Sequence, residues 1–464
     1  MVLTGRWVLL VAVGALPAAL VPALVHAGGG GSGWLPWAGV LGWAVVVVGL
    51  TALDLLLAGS PRSLSVRREE TGPVRLGERT AVPLVVENTG ARRVRGALRD
   101  AWGPSAGVVV PAAGRHRFDA PPGERRRLVT ELEPVRRGDR EVAAVVVRSR
   151  GPLGVAARQR TLPVPGRVRV LPPFSSRRHL PAALERLRTL DGSASVQVRG
   201  QGTEFDSLRE WVDGDDARSV DWRATARRGS LVVRTWRPER DRRVLVVLDT
   251  SRTSAARIGD APRLDAAMDA ALLLAAVAAT AGDRVDLLAA DRTVRAAVTS
   301  QRPPALMPAL VQAMAPLEPA LVEADWPALV AQVRRRMPHR GLLVLLTPLE
   351  PAAEAGLLPV LSSLTALHAV VVASVADPAL DAMASERGEG GAAGRQRPGG
   401  PGRRRAPDAA DAYTAAAAER TRLERAALTA LVRRTGAVVV DADPDLLPSR
   451  LADAYLSLKA AGRL

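Results

Sequence analysis

The chain has 464 residues, 47% of them hydrophobic, and no Cys. That length suits about three domains at ~150 residues each. Lack of Cys excludes disulfides, thiol catalysis and Cys-ligated zinc or iron–sulfur centres. The five His residues (His26, His116, His179, His339, His368) are scattered and form no HExxH pattern, so no His-built metal site is expected. The net charge of +17 raises nucleic-acid binding as a reading. Nearly all the basic residues are Arg, Lys459 being the sole Lys, and they are spread along the chain. Aromatics are 3%, too few for base-stacking platforms. Diffuse charge of this kind does not point to nucleic acid.

Two uncharged runs open the chain, Trp7 to Ala27 and Trp34 to Leu53. Each is long enough to cross a ~30 Å hydrocarbon core as a helix. The connecting 28–33 segment, Gly-Gly-Gly-Gly-Ser-Gly, reads as a flexible turn. Trp7, Trp34, Trp37 and Trp43 include interface anchors. A cleaved signal peptide is the competing reading of the first run. Arg6 precedes the first run, Arg62, Arg67 and Arg68 follow the second, and the loop has no Lys or Arg. The positive-inside rule then places both termini and everything after about residue 60 in the cytoplasm. Asp54, near the end of the second run, reads as an interfacial residue.

From about 61 to 175 the pattern becomes short and alternating. Ala81 to Asn88, Val94 to Leu98, Arg126 to Leu132, Val142 to Val147 and Arg167 to Leu171 read as strands. Turn residues fall at 88–90, 121–123 and 138–139. This spacing predicts a small antiparallel β-sandwich without a catalytic constellation.

The stretch 176–242 is the most polar. From Gly200 to Arg242 it holds nine acids and nine Arg, which favours internal ion pairs over one large field. Gly202, Glu204, Phe205, Leu208, Arg209, Trp211, Gly214, Asp215, Asp216, Arg218, Val220, Asp221, Trp222, Ala226, Arg227 and Arg234 form an ordered signature. It closely resembles that of the domain of unknown function 58 family, with Trp211 at a usual Tyr and Val220 at a usual Ile. The segments Pro134 to Gly138 and Gly151 to Gly154 extend the resemblance. The acids Glu204, Asp213, Asp215, Asp216 and Asp221 suit either a cation or acid–base site, or a charged structural plate.

Beyond residue 243 strands and helices alternate, which predicts a doubly wound α/β sheet. Strands are expected at Arg243 to Asp249, Val285 to Ala290, Val294 to Val298, Gly341 to Thr347, His368 to Val375 and Val438 to Val440. Helices are expected at 263–281, 304–315, 326–335, 352–366, 412–435 and 445–461. The Gly- and Arg-rich 386–410 segment reads as a disordered insertion. Asp249-Thr250-Ser251-Arg252-Thr253 follows the first strand, where ligands of such sheets bind. It resembles the D-x-S-x-S motif of von Willebrand factor A-type domains. That resemblance implies Mg²⁺ held by Asp249, Ser251 and Thr253 at a metal-ion-dependent adhesion site. The site is degenerate, because Pro348 stands where a further Asp is expected and Glu350 comes two residues late. Thr299 and Ser300 are candidates for the distal hydroxyl. In the competing reading, Ser251 and Thr253 cap the following turn.

The expected whole is a membrane-anchored α/β protein. It has two N-terminal transmembrane helices (1–60), a β-sandwich (61–175), the signature segment (176–242) and a von Willebrand factor A-like domain (243–464). The family resemblance implies a non-enzymatic scaffold in the cell membrane. Its partners would be a MoxR-type AAA+ ATPase and other membrane proteins, in the assembly or maturation of proteins. No Walker A pattern occurs, so ATP hydrolysis would belong to the partner. The rivals are a metal-assisted hydrolase using the signature carboxylates with Asp249, and an outward-facing cell-envelope structural protein.

Overall fold

Both apolar runs become helices, α1 (Gly5–Ala27) and α2 (Leu35–Leu57). The computed structural model describes residues 2–27, 35–194, 204–213, 215–237, 242–299, 301–385 and 409–464. The expected glycine turn at 28–33 and most of the expected insertion at 386–410 lie outside those residues. Gly39–Ser63, with a mean hydropathy of 2.3, is long and apolar enough to cross a bilayer. The described apolar part of α1, Gly5–Ala15, is shorter.

Two units divide the chain, Met1–Leu171 and Pro172–Leu464. The first carries β1 (Val2–Leu3), β2 (Leu64–Arg68), β3 (Val74–Arg75), β4 (Thr80–Asn88), β5 (Val94–Asp100), β6 (Val108–Val110), β7 (Arg115–Ala120), β8 (Arg125–Leu132), β9 (Gly138–Arg150) and β10 (Ala156–Leu171). They form a sheet ordered β1-β10-β9-β5-β7, with β3 on β10, and a second ordered β2-β4-β8-β6. Period-2 alternation decides which face is buried. In β7, for example, Arg115 and Arg117 are exposed while His116 and Phe118 are buried. Leu84, Val86, Leu98, Phe118, Val145 and Val147 meet between the sheets. Each contributes roughly 1.5–3 kcal/mol by leaving water.

One buried charge sits inside this sandwich. The Asp100 carboxylate accepts two bonds from Arg68 at 2.9 and 2.7 Å, one from Trp102 Nε1 at 2.8 Å and one from Thr130 Oγ1 at 3.0 Å. The Arg68 guanidinium lies 5.0 Å from the Trp102 ring centre. His116 Nε2 pairs with Thr130 Oγ1 at 2.8 Å, and burial holds the imidazole below its usual pKa. A buried ion pair persists only when its remaining polar sites are filled, and here Trp102 and Thr130 help fill those of Asp100.

Asp54 corrects the sequence-based expectation. It is fully buried within the protein and does not face water or headgroups. Its carboxylate accepts the backbone N–H groups of Leu153, Val155 and Ala156 at 2.8, 2.8 and 2.9 Å. These amides belong to the turn between β9 and β10. A Cβ on Gly151 would lie 2.1 Å from Asp54 Oδ1, so the helix and the turn meet only because residue 151 is Gly. Thr4 Oγ1 donates to the carbonyls of Gly154 and Val155, and Ser149 Oγ donates to Gly59 O at 2.6 Å. The helices therefore join the β unit instead of standing apart as a separate segment.

The second unit begins with α3 (Leu180–Ala194) and a hairpin of β11 (Glu204–Glu210) and β12 (Val232–Arg237) that encloses α4 (Trp222–Arg228). The signature thus belongs to this unit. There follow β13 (Arg243–Asp249), a small pair β14 (Arg257–Ile258) and β15 (Ala261–Pro262), α5 (Arg263–Thr280), β16 (Arg284–Ala290), β17 (Val294–Val298), α6 (Pro303–Met314), α7 (Trp326–Arg336), β18 (Leu342–Leu346), α8 (Pro351–Thr365), β19 (Ala369–Val375), α9 (Pro378–Ser385), α10 (Ala409–Arg434), β20 (Val438–Ala442) and α11 (Leu447–Ala460). The main sheet runs β17-β16-β13-β18-β19-β20, parallel except for β17. Helices α7, α8 and α10 pack on one face and α5 and α11 on the other. Burial on both faces explains the continuous apolar runs of β13 and β18. Between β12 and α5 the chain reaches the carboxyl edge of the central strand, which places Asp249 there.

Leaving a buried N–H without an acceptor costs roughly 1–3 kcal/mol. Asp54→Ala should therefore raise hydrogen exchange at the Val155 and Ala156 amides by roughly tenfold or more. It should also lower the unfolding midpoint of the full chain in detergent. Unchanged exchange at those amides would show that the carboxylate does not hold the turn.

Candidate functional site

The carboxyl ends of β13 and β18 are adjacent, because Leu248 and Leu346 are in register. The next residues, Asp249 and Thr347, thus meet at the sheet edge. Thr347 Oγ1 donates to Asp249 Oδ2 at 2.7 Å. The backbone N–H of Ser251 donates to Asp249 Oδ1 at 2.8 Å, and Thr253 Oγ1 lies 3.4 Å from Oδ2. Ser251 Oγ and Thr253 Oγ1 are 3.1 Å apart. The 252–255 turn has Ser251 at its N-cap without a side-chain cap bond. The capping reading of these hydroxyls is thereby corrected, since they turn toward Asp249.

Asp249, Ser251 and Thr347 are all buried, while Thr253 is half-buried. Burial pushes the Asp249 carboxyl above its usual pKa, against the hydrogen bonds that favour the ionised form. The site floors a cleft of about 110 Å³ that Glu323, Trp326 and Gly356 help to line. Trp326 packs where a Cβ on Gly356 would come within 2.5 Å of its ring, so this glycine lets α7 and α8 approach. Arg252 and Glu323 pair at 3.0 Å on the rim. The loop after β13 is pinned from below. Thr250 Oγ1 donates to Asp291 at 3.1 Å, and Thr250 O accepts from Ala320 N at 2.7 Å.

The donor set is one carboxylate and three hydroxyls, all hard oxygens of the kind Mg²⁺ takes. It falls short in charge. Pro348 brings no ligand, and Glu350 is engaged by Arg263 at the start of α5. Thr299 is also corrected as a ligand. It follows β17, which runs antiparallel, and so lies toward the opposite edge of the sheet. Ser300 lies outside the described residues. Among the described residues no cluster of three His, Asp or Glu side chains suits a metal. Thr347 is the member that sequence reasoning missed. Its signal was a hydroxyl at the end of the strand beside the one carrying Asp249.

The described signature residues lie apart from this cleft, and none of them lines it. Asp215 accepts from Arg209 Nη1 at 2.8 Å and from Val212 N at 2.9 Å. Asp216 caps the 217–219 turn through Arg218 N at 2.9 Å. Asp221 caps α4 through Arg223 N and Ala224 N, both at 3.0 Å, and accepts from Arg234 Nε at 2.8 Å. These hydrogen bonds hold the Asp221 carboxyl below its usual range. The capped α4 ends at Gly229, whose φ of 75° suits the left-handed stop. Leu208, Asp213, Arg218, Ala226 and Arg227 are exposed. Trp222 is 70% exposed, so it is no internal anchor. Gly202 and Gly214 lie outside the described residues, as do the side chains of Glu204 and Phe205. Asp215, Asp216 and Asp221 each serve a local turn or cap.

Both ion pairs sit near the surface, with side-chain exposures of 39% and 19% for Arg209–Asp215 and 47% and 14% for Arg234–Asp221. Exposed pairs contribute little, so the caps should dominate. Asp221→Ala is therefore expected to lower the melting temperature of the chain more than Arg234→Ala, with Asp221→Asn between them. Equal losses in thermal unfolding would place the ion pair above the cap.

Comparison with known proteins gives one family and distant structural likenesses. The profile of the family described as "Protein of unknown function DUF58" matches residues 207–386. No curated protein matches the chain. An aerotolerance-related membrane protein from Bacteroides fragilis is 16% identical, covering 48% of this chain and 99% of its own, with a TM-score of 0.28. The conserved hypothetical protein BatB from Bacteroides thetaiotaomicron gives 14%, with the same coverages and the same TM-score. A mutant of the PilB minor pilin from Streptococcus sanguinis gives 8% over 90% of this chain and 97% of its own, with a TM-score of 0.31. The match takes in the hairpin from residue 207 onward and the Asp249 site.

Proposed function

We propose that the chain is a membrane-anchored scaffold whose second unit docks a protein partner at the Asp249 cleft. The observation that carries this reading is the site itself. A buried carboxylate ringed by the hydroxyls of Ser251, Thr253 and Thr347 opens into a cleft at the carboxyl edge of a parallel sheet. Ligands of open α/β sheets bind at that edge. The site and the strand order, with its one antiparallel edge strand, support a von Willebrand factor A-like assignment for this unit. The family resemblance names a MoxR-type AAA+ ATPase as the partner. Both soluble units belong in the cytoplasm by the Arg asymmetry around the hairpin. In this reading the chain has no catalytic step of its own: of the two carboxylates that line the cleft, Asp249 is held by hydroxyls and Glu323 pairs with Arg252.

Affinity capture from native membranes tests the docking site. The full chain should retain an AAA+ ATPase, and Asp249→Ala and Thr253→Ala should each lose it. Equal retention by the variants would move the docking point away from the cleft.

Metal at this site is expected to be weak. One carboxylate with hydroxyls can hold Mg²⁺ only if water or a partner's acid supplies the other positions. Calorimetric titration of the full chain with Mg²⁺ and Mn²⁺ should show binding weaker than micromolar. Micromolar binding that Asp249→Ala abolishes would instead make this a metal-dependent recognition site.

A further inference from the structure

Where α2 meets the β unit, arginines gather without acids to match them. Arg62 lies in the short 61–63 turn directly after α2 and is exposed. Arg92, also exposed, donates from Nη1 to Leu56 O at the helix end, at 2.6 Å. Arg6, in the first turn of α1, donates from Nη1 to Leu153 O at 3.2 Å. Arg150 ends β9 on the exposed face, one residue before the Gly151 that packs on Asp54. Its preceding residue, Ser149, bonds Gly59 just beyond α2. The backbones of all four therefore border the segment from Asp54 to Arg62.

The described carboxylates near this edge, Asp54, Asp119 and Glu124, are all engaged, Glu124 by Arg126 at 2.5 Å. Asp54 is buried under three amides. Asp119 pairs with Arg93 at 2.6 Å and Arg95 at 3.3 Å. Arg6, Arg62, Arg92 and Arg150 have no carboxylate partner among the described residues. Arg150 moreover stands directly opposite Arg95 across β5 and β9. Of that pair only Arg95 has a carboxylate, Asp119.

The place of these arginines along the helix indicates which anion suits them. From Asp54 to its end at Leu57 the helix rises ~4.5 Å, and Ser60 and Arg62 follow just beyond it. This stretch is comparable to the headgroup layer, which brings a ~30 Å hydrocarbon core to ~40–45 Å in total. Guanidinium forks match phosphate oxygens in pairs. We propose that Arg6, Arg62, Arg92 and Arg150 form a collar that binds anionic phospholipid headgroups around the end of α2. The collar rests on the membrane-anchored reading and adds to it a lipid class and the residues that select it. It would fix how deep the helix sits and tie the β unit's edge to the membrane surface.

The test reconstitutes the full chain in phosphatidylcholine vesicles doped with spin-labelled phosphatidylglycerol or spin-labelled phosphatidylcholine. The wild type should immobilise the anionic probe over the zwitterionic one by about fivefold or more at low salt, falling as salt rises. Arg62→Gln with Arg150→Gln should bring the ratio close to one. Neither side chain has a hydrogen-bond or ion-pair partner among the described residues, so folding is spared, and a thermal melt verifies it. Arg62→Lys with Arg150→Lys should keep most of the preference. Arg99→Gln with Arg115→Gln, on the same sheet but further along β5 and β7, should leave it unchanged. A wild-type ratio of one, as an acidic protein partner for these arginines would give, overturns the collar. So does a ratio that survives in the double Gln variant. A chain that fails to float with the vesicles rejects the membrane-anchored reading itself, whereas one that floats without lipid preference rejects only the collar.

Discussion

A carboxylate inside an apolar helix is costly unless its charge is met, and Asp54 is met by three backbone amides of one turn. The geometry is reciprocal. The turn between β9 and β10 would leave the N–H groups of Val155 and Ala156 buried without acceptors, and the helix would leave an ion without donors. Neither segment is stable in that form alone. Gly151 completes the contact by having no side chain where Asp54 lies. The remaining bonds, from Thr4, Ser149 and Arg92, gather around this one.

The second unit solves a related problem differently. Asp249 is also buried, but it is met by hydroxyls and one amide, not by a row of amides or a guanidinium. Hydroxyls can donate or accept, so the same side chains satisfy either protonation state of the carboxyl. The Asp100 cluster in the sandwich shows the contrast. There Arg68 supplies a full opposite charge through two hydrogen bonds. A paired charge suits a core, whereas an adaptable cluster opening into a cleft suits recognition.

Much of this architecture was legible in the residues. The continuous apolar runs at Arg243–Asp249 and Leu342–Leu346 announce strands buried on both faces, whereas the half-exposed strand at Arg115–Ala120 was not among those expected. Asp249, Ser251 and Thr253 stood out by their place after the first strand and their resemblance to the D-x-S-x-S motif. The long-range partners did not. Thr347 lies 98 residues from Asp249, and only the register of β13 against β18 brings it there. Asp54 misled because a carboxylate at a helix end ordinarily faces water or headgroups. Its partners are amides 99 to 102 residues away, which carry no side-chain signal.

The junction at Gly151 has a mechanical consequence. A lone helix in a fluid bilayer spins freely about its long axis, and a domain on a loose tether would ignore that rotation. Here the tether has no slack. Bonds from Leu153, Val155 and Ala156 to Asp54, and from Ser149 to Gly59, grip the end of α2 within two turns of its axis. Torque on the β unit therefore passes into the helix as rotation or tilt, in the way a rudder blade turns its stock, and reorientation of the helix sweeps the blade through the same angle.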